Sequence, residues 1–340
     1  MTARALSAFL AGALVLGCAR LGGSPAVATE PWLAWQAPLG RQDALAGRIF
    51  DTAARRFVSP ADAAARALRA DLVLLGEKHD NPDHHQLQAW LIEALVRSGR
   101  KPAVAFEMIP RDRAGALAAA LALQPTDPDA VAAALDWSQS GWPPFPLYRP
   151  IFAAALAPNL PIIPADLSRA ERAQLRTGGL DALPAAERER LALDQPLAEG
   201  ARQSLADEVR ASHCGMVPES MVGAMIDVQR ARDAVLADAV LGAAGSDGAV
   251  LIAGAGHART DRGVPLYLAR RAPGRGVLSV AFVEVPRGAP ESEDPAERAS
   301  QLGEGFDLVW FTPRVDDEDA CERFREELEK LRAPKPAPQA

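Results

Sequence analysis

The sequence has no excess of basic residues and few aromatic ones. Lys and Arg number 37 against 44 Asp and Glu, which gives a net charge of −7 and a pI of about 5.4. Such a chain has no basic field to attract a polyanion, so nucleic acid is excluded as a partner. Aromatic residues make up 5% of the chain, and its abundant Ala and Leu favour helices.

The sequence also lacks long apolar runs. The one apolar stretch that could bear on membrane insertion lies at the N-terminus. Arg4 precedes an apolar stretch at 5–16 that is too short to span a bilayer comfortably. The stretch ends in the sequence VLGC, with Cys18 last, which looks like a bacterial lipobox. We therefore expect a lipidated Cys18 and an exported protein whose domain lies in the periplasm, anchored to a membrane. The alternative is an ordinary signal peptide with a chance cysteine.

Cysteine is scarce. Of the three cysteines, two remain after Cys18 is set aside, Cys214 and Cys321. Export would place them in an oxidising compartment, where they could pair. Because one pair in a domain of this size is not a disulfide framework, we expect both thiols to be free.

The 340 residues divide into four parts by composition. Residues 1–18 form the lipoprotein signal peptide, and residues 19–44 a small-residue tether and lead-in segment. Residues 45–312 form a single α/β domain, with a helical insertion at about 168–243. Residues 313–340 form a charged helix followed by a Pro/Ala-rich tail.

Short apolar runs alternate with helical patterns across the domain. We predict strands at 71–76, 103–107, 161–165, 249–253, 277–285 and 307–311, and helices at 60–70, 82–98, 111–122, 128–136, 149–157 and 317–331. The fold class is therefore α/β, with a mainly parallel sheet, helices on both faces and an inserted helical subdomain. Such sheets bind ligands beyond the carboxyl ends of their strands.

Polar side chains follow three of the predicted strands. Glu77 and His79 come directly after the first, Glu107 ends the second, and His257 follows the strand at 249–253. These ends meet at one edge of the sheet, so the four side chains are expected to converge. Two carboxylates and two imidazoles could hold a divalent metal, or act as acid and base in hydrolysis. Each could instead be a local capping group. The glycines at 254 and 256 lack the third glycine of a dinucleotide-binding motif.

Other histidines lie near these strand ends. His84 and His85 open the helix at 82–98, and as neighbours they cannot face one direction; one is expected to approach the site and the other to be solvated. His213 precedes Cys214, a pair that could form a soft ligand or redox site. Gln229 and Asp233 lie one turn apart on a helix, where they either line the cleft or pair locally.

A rigid, proline-rich loop is predicted at 140–148, bracketed by Trp142 and Tyr148. Aromatic rings on a stiff loop could bind a flat apolar ligand. They could equally pack over the hydrophobic core and bind nothing. The second tyrosine of the chain, Tyr267, is predicted to pack inside the fold.

Together these segments resemble the ChaN family of haem-binding, iron-regulated lipoproteins, within the superfamily of Tiki proteases and erythromycin esterase-like hydrolases. The resemblance covers roughly residues 45–290, in order. It rests on LGEKHDNPDHH at 75–85, FEM at 106–108, SGW at 140–142 with Tyr148, HCG at 213–215 with QRARD at 229–233, and GAGH at 254–257.

The resemblance implies non-covalent haem binding at the membrane in haem and iron acquisition, with a homodimer and a haem-uptake receptor as further partners. Covalent attachment is excluded because no Cys-x-x-Cys-His is present. A tyrosinate or an imidazole would be the axial ligand. Tyr148 is the first candidate, followed by His213, His79 and His257, with Trp142 beside the ring. The alternative function is a metal-dependent esterase or peptidase using Glu77, His79, Glu107 and His257.

Overall fold

A computed structural model describes residues 30–288, 293–319, 321–323, 325 and 326. The signal peptide, Cys18, residues 19–29 of the tether segment and most of the C-terminal segment at 313–340 lie outside these residues. Within them, no helix combines the length and apolarity needed to cross a membrane.

The backbone alternates strands and helices much as the sequence predicts. The strands are β1 (Ile49–Asp51), β2 (Arg56–Val58), β3 (Leu72–Glu77), β4 (Ala103–Pro110), β5 (Ile162–Asp166), β6 (Ala249–Gly254), β7 (Val277–Glu284) and β8 (Leu308–Thr312). The helices are α1 (Pro60–Arg69), α2 (Pro82–Arg97), α3 (Ala114–Leu123), α4 (Pro128–Ala134), α5 (Phe145–Leu156), α6 (Arg169–Gly178), α7 (Ala185–Arg190), α8 (Glu199–Ser212), α9 (Glu219–Ala243), α10 (Ala255–Ala258), α11 (Val264–Arg271) and α12 (Pro295–Leu302).

The strands form one sheet in the order β2-β1-β8-β7-β3-β6-β4-β5. Strands β3 to β8 are mutually parallel, whereas β1 pairs antiparallel with both β2 and β8. The fold is therefore α/β with a mostly parallel sheet, as predicted. Strands β3, β6 and β4 are neighbours in this order, so their carboxyl ends lie side by side.

Apolar side chains alternate between the two faces of the central strands. Val73 and Leu75 of β3 pack against α1, α2 and α5, while Leu72 and Leu74 pack against α6, α9 and α11. Both faces of the sheet are thus covered by helices, which explains why the strands are apolar throughout rather than alternating with polar residues.

The helical block at 168–243 is the connection between β5 and β6. Helices α6 and α9 pack directly on the sheet. Helix α8 and the first turns of α9 share a small separate core of Leu205, Ala206, Val209, Val222 and Ile226. Helix α8 and the first turns of α9 thus have a core of their own, apart from the core on the sheet.

The prediction of free thiols is wrong. Cys214 and Cys321 form a disulfide, with their Cα atoms 5.4 Å apart. It links the turn between α8 and α9 to the segment beyond β8, across a sequence separation of 107 residues. The error came from reasoning on cysteine number alone, since a contact so remote in sequence leaves no local signal.

Candidate functional site

The four predicted side chains do converge, because the register of the central strands brings them together. Glu77, the last residue of β3, lies opposite Gly254, the last residue of β6. Phe106 of β4 lies opposite Ile252, so Glu107 reaches the same level. The backbone N–H of Gly254 donates to Glu107 Oε2 at 2.6 Å.

The turn after β3 is held by a buried histidine. The backbone N–H of Lys78 donates to Nδ1 of His84 at 2.9 Å, while Nε2 of His84 lies 2.8 Å from the Thr312 hydroxyl. Burial and the nearby His85 lower the pKa of His84 to about 3, so the ring is neutral and accepts this hydrogen bond. Asn81 caps α2 by accepting from Asp83 N–H. These contacts fix the backbone that carries His79.

Glu77 is a buried carboxylate surrounded by donors. Oε1 lies 2.9 Å from His79 Nδ1 and accepts from the Tyr148 hydroxyl at 3.1 Å, and Oε2 lies 3.3 Å from His85 Nε2. Burial alone would raise the pKa of Glu77, but the electrostatic effect of the nearby His85 and the hydrogen bond with His79 lower it to about 2. Glu77 is therefore an anion at neutral pH.

His84 and His85 correct a prediction. Neither is solvated, since both rings are completely buried. His85 stacks on Tyr148 with ring centroids 4.2 Å apart. Helix α2 packs against both the sheet and the neighbouring α5, so two adjacent positions can both face protein. The prediction assumed that one of the two positions faces water.

Tyr148 also lies elsewhere than predicted. It belongs to the first turns of α5 rather than to a loop, because Pro146 falls at a position of the first turn where proline is tolerated. Its side chain is completely buried. Burial and the charge of Glu77 raise the pKa of Tyr148, so the phenol stays protonated and donates to Glu77.

Glu107 is held by a second set of cations. Arg232 of α9 donates to Glu107 Oε1 at 2.6 Å and to Asp166, at the end of β5, at 2.8 Å. His257 Nε2 lies 3.4 Å from Glu107 Oε1. Burial would raise the pKa of Glu107, but His257, Arg232 and His79 together hold it well below its usual range.

His257 sits between two carboxylates. Its Nδ1 donates to Asp233 Oδ1 at 2.6 Å, and the Gln229 amide lies 3.1 Å from the same nitrogen. Burial would lower the pKa of His257, but Glu107 and Asp233 raise it to about 10. Both Gln229 and Asp233 thus contact His257, and Gln229 also lines a cavity beside the site.

His79 is the exposed imidazole of this set. Its side chain is 32% exposed, against 5% for His257. Its ring stands edge-on to Trp142, with centroids 4.8 Å apart. Burial lowers the pKa of His79, but the charges of Glu107 and Glu77 outweigh it and raise the pKa overall. Its second nitrogen, Nε2, lies 3.9 Å from Glu107 and faces the part of β6 where Gly254 has no side chain.

Two cavities flank the site. One, of about 330 Å³, is lined by Trp142, Trp137 and Met108 among others. The second, of about 260 Å³, is lined by His213, Met225, Gln229 and Arg232 among others. Arg172 lines both. His213 ends α8, where Nδ1 donates to the Val209 carbonyl at 2.8 Å.

The divalent metal suggested by the sequence is not supported. Within the described residues, no group of three or more His, Cys, Asp or Glu side chains is arranged to hold a metal ion. The reason is visible in the geometry. The oxygens of Glu107 accept from Arg232 and from the Gly254 N–H, and those of Glu77 face Tyr148, His79 and His85.

Two charged residues of the site were not singled out from the sequence. Asp166 is the last residue of β5, just as Glu77 is the last residue of β3, and that position was the available signal. Arg232 belongs to the motif QRARD, but the sequence around it does not indicate that it bridges Glu107 and Asp166.

Comparison with known proteins decides the family. Residues 63–268, well over half of the chain, match the family described as haem-binding uptake, Tiki superfamily, ChaN. The chain belongs to this family. A search of curated protein sequences gave no significant match.

Solved structures agree with the ChaN fold. One match is ChaN of Campylobacter jejuni, described by its cofacial haem binding, at 22% identity and a TM-score of 0.59, covering 77% of this chain and 95% of that one. A second match is a mutant of the erythromycin esterase EreC in its open conformation, at 14% identity and a TM-score of 0.44, covering 77% of this chain and 95% of that one. A third is the type III effector HopBA1, at 16% identity and a TM-score of 0.41, covering 74% of this chain and 92% of that one. The Campylobacter protein supports a shared ChaN fold.

Proposed function

We propose that this chain binds haem non-covalently at the carboxyl edge of its sheet, with Nε2 of His79 as the axial ligand. The observation that carries the proposal is the hydrogen-bonding state of His79. Its Nδ1 is engaged by Glu77 at 2.9 Å, while Nε2 makes no hydrogen bond within the described residues and lies beside Gly254, on a side chain that is 32% exposed. A histidine that ligates a metal usually donates its other N–H to a carboxylate, which fixes the ring and strengthens the ligand.

The surroundings of His79 fit a flat ring. A Cβ atom on Gly254 would lie 2.9 Å from His79 Nε2, so this glycine keeps open the space beside the nitrogen. Trp142, whose ring contacts that of His79, also lines a cavity with the volume of a small ligand pocket, at about 330 Å³. An apolar wall and one exposed imidazole are the elements that a haem site requires.

The other residues implied by the ChaN resemblance are placed less favourably. A tyrosinate ligand must lose its proton, yet burial and Glu77 raise the pKa of Tyr148, and Tyr267 is equally buried. His257 is buried between Asp233 and Glu107. We infer that Tyr148 orients Glu77, which in turn orients His79. His213 lines the second cavity and remains the alternative imidazole.

We further propose that the protein acts in haem acquisition as an exported, lipidated protein anchored through Cys18. The lipobox-like sequence supports this, and so does the disulfide between Cys214 and Cys321, because disulfides persist in oxidising compartments. Mass spectrometry of the mature N-terminus tests the anchor: the expected result is an acylated peptide beginning at Cys18, and an unmodified N-terminus elsewhere would refute it.

A homodimer and a haem-uptake receptor are proposed as partners. Cofacial binding, the arrangement named for the Campylobacter protein, requires two haems to face each other. If this chain does the same, hemin shifts its sedimentation from one protomer to two, with two haems per pair. A single protomer at saturating hemin would contradict the dimer.

A metal-dependent hydrolase has no comparable support. The carboxylates of Glu77 and Glu107 that would bind the metal are engaged by Tyr148, Arg232 and the histidines around them. We therefore do not retain this alternative.

The decisive experiment is a titration of the purified protein with hemin, followed by the Soret band. The wild type should show a saturable shift, and His79→Ala should weaken binding by at least about tenfold, because it removes the iron ligand. Tyr148→Phe should retain the wild-type band, since it removes only a hydrogen bond to Glu77.

His213→Ala serves as the matched imidazole control, and far-UV circular dichroism confirms folding of each variant. No saturable shift in the wild type would refute haem binding. Loss of the band in Tyr148→Phe or His213→Ala, but not in His79→Ala, would move the ligand to that residue.

A further inference from the structure

Helix α6 carries three arginines on one face. Arg169, Arg172 and Arg176 are spaced by three and four residues, which places them in one stripe along the helix. The stripe spans about 10 Å along the helix axis, at 1.5 Å per residue. This helix follows β5 directly, so the stripe lies at the same edge of the sheet as Glu107 and Asp166.

The stripe borders both cavities of the site. Arg169 and Arg172 line the cavity that contains Trp142, and Arg172 and Arg176 line the cavity that contains His213. The three arginines therefore run from the cavity that contains Trp142, whose ring contacts that of His79, to the cavity that contains His213.

Only the middle arginine has its charge neutralised. Arg172 donates to Asp166 at 2.8 Å. Arg169 and Arg176 are exposed, and within the described residues neither has a carboxylate within 4.0 Å. The neighbouring Arg111 contrasts with them, since it pairs with both Glu171 and Glu187. Two cations at a cavity edge without an acidic partner indicate an anionic ligand.

We propose that Arg169 and Arg176 bind the two propionate carboxylates of haem. This inference rests on the proposed haem function. Guanidinium groups recognise carboxylates through paired, charge-assisted hydrogen bonds that lysine cannot reproduce. Apolar residues share the cavities with the arginines, Leu135 and Trp137 in one and Leu205 and Val209 in the other. The same linings contain three carboxylates: Asp112, Asp136 and Glu208. The site thus pairs cations for the ring's acidic edge with apolar walls for its faces.

The consequence is specificity for a dicarboxylate porphyrin. Esterification of both propionates keeps the iron, the ring and its faces but removes both negative charges. Hemin and its dimethyl ester, compared in one detergent-containing buffer, therefore isolate the contribution of the arginines from that of His79.

The test measures the dissociation constants of both compounds by Soret titration. The wild type should bind hemin at least about tenfold more tightly than the dimethyl ester. In Arg169→Ala/Arg176→Ala this preference should fall to about twofold or less, through weaker hemin binding, with the affinity for the ester unchanged.

The charge-matched control is Arg69→Ala/Arg275→Ala. Both arginines are exposed, line neither cavity of the site and have no ion pair within the described residues. This variant should keep the wild-type preference.

The outcomes separate the two proposals. If the wild type binds hemin and its ester equally, or if the α6 variant behaves like the control, the assignment of Arg169 and Arg176 is overturned while haem binding stands. If the wild type binds neither compound, the haem function and this inference both fail.

Discussion

At the scale of single residues, the position of His79 depends on the absence of a side chain at Gly254 of β6. Gly254 lies opposite Glu77 in the sheet, and its lack of a Cβ leaves room for His79 Nε2. Glu77 and Trp142 hold the ring from two other sides. The ring therefore cannot turn away from an added methyl group without losing one of these contacts.

We predict that Gly254→Ala reduces hemin affinity by about tenfold or more, because the methyl group would displace the imidazole that we propose as the iron ligand. The measurement is the same Soret titration, with thermal unfolding as a check on folding. Gly274→Ala provides the control, since nothing lies within 4 Å of a Cβ at that position. Unchanged affinity in Gly254→Ala would show that His79 does not need this space.

The sequence was sufficient to find residues at strand ends, and insufficient for residues that reach them from helices. Glu77, His79, Glu107 and His257 each follow a short apolar run, and a parallel sheet brings such positions together. Arg232 arrives from α9, more than 60 residues from Asp166 in sequence. A contact of this kind depends on how the helix packs, and no local pattern encodes it.

At the scale of elements, the prolines before Tyr148 led to the prediction of a loop where the structure has the start of a helix. The stretch at 140–148 reads as a loop because it contains several prolines, yet α5 begins at Phe145. Proline is compatible with the first turn of a helix, where N–H groups lack intrahelical partners. Moving Tyr148 from a loop to a buried helix turn is what removes it from the exposed ligands.

The hairpin of α8 and α9 depends on the disulfide more than the sheet does. Its own core is small, and Cys214 in its turn is joined to Cys321 beyond β8. Closing a loop of this length restricts the unfolded chain and typically stabilises a protein by about 2–4 kcal/mol.

We predict that a thiol reductant lowers the melting temperature measurably, which differential scanning calorimetry with and without reductant would record. Cys214→Ser/Cys321→Ser should melt at the lowered temperature under both conditions. A wild-type protein that melts identically in reductant would show that the bond contributes nothing to stability.

At the scale of the whole molecule, buried charges in the site limit the pH range of the fold. Glu77 has an ordinary pKa of 4.5 that the folded protein lowers to about 2, so its stabilising effect is complete above pH 4.5 and is lost as pH falls. His257 has an ordinary pKa of 6.5 that rises to about 10, so its effect is complete below pH 6.5 and is lost as pH rises.

We therefore predict a maximum in unfolding free energy between about pH 5 and 7, with a loss of about 3 kcal/mol from Glu77 alone on acidification. Denaturant titrations between pH 3 and pH 10 measure it. His257→Gln should remove the alkaline decline while leaving the acidic one. A stability that does not change between pH 7 and pH 10 would contradict the ion pairs assigned to His257.

The fold class could be predicted because the alternation of strands and helices is encoded locally in the sequence. The order of the strands could not be predicted, because it depends on pairing between distant segments. The antiparallel pairing of β1 with both β2 and β8 joins residues near 50 to residues near 310. Short three-residue strands such as β1 and β2 carry too little pattern to reveal a partner so far along the chain.

That pairing has a consequence for biosynthesis. Strands β1 and β2 join the sheet only by pairing with β8. They therefore cannot complete their edge of the sheet until the chain has been synthesised to residue 312. A nascent or truncated chain that stops before β8 exposes β7 as an unpaired edge, which invites self-association. If the protein is exported, this interval falls during passage to the far side of the membrane. A chaperone in that compartment would then protect β7 before any haem could bind.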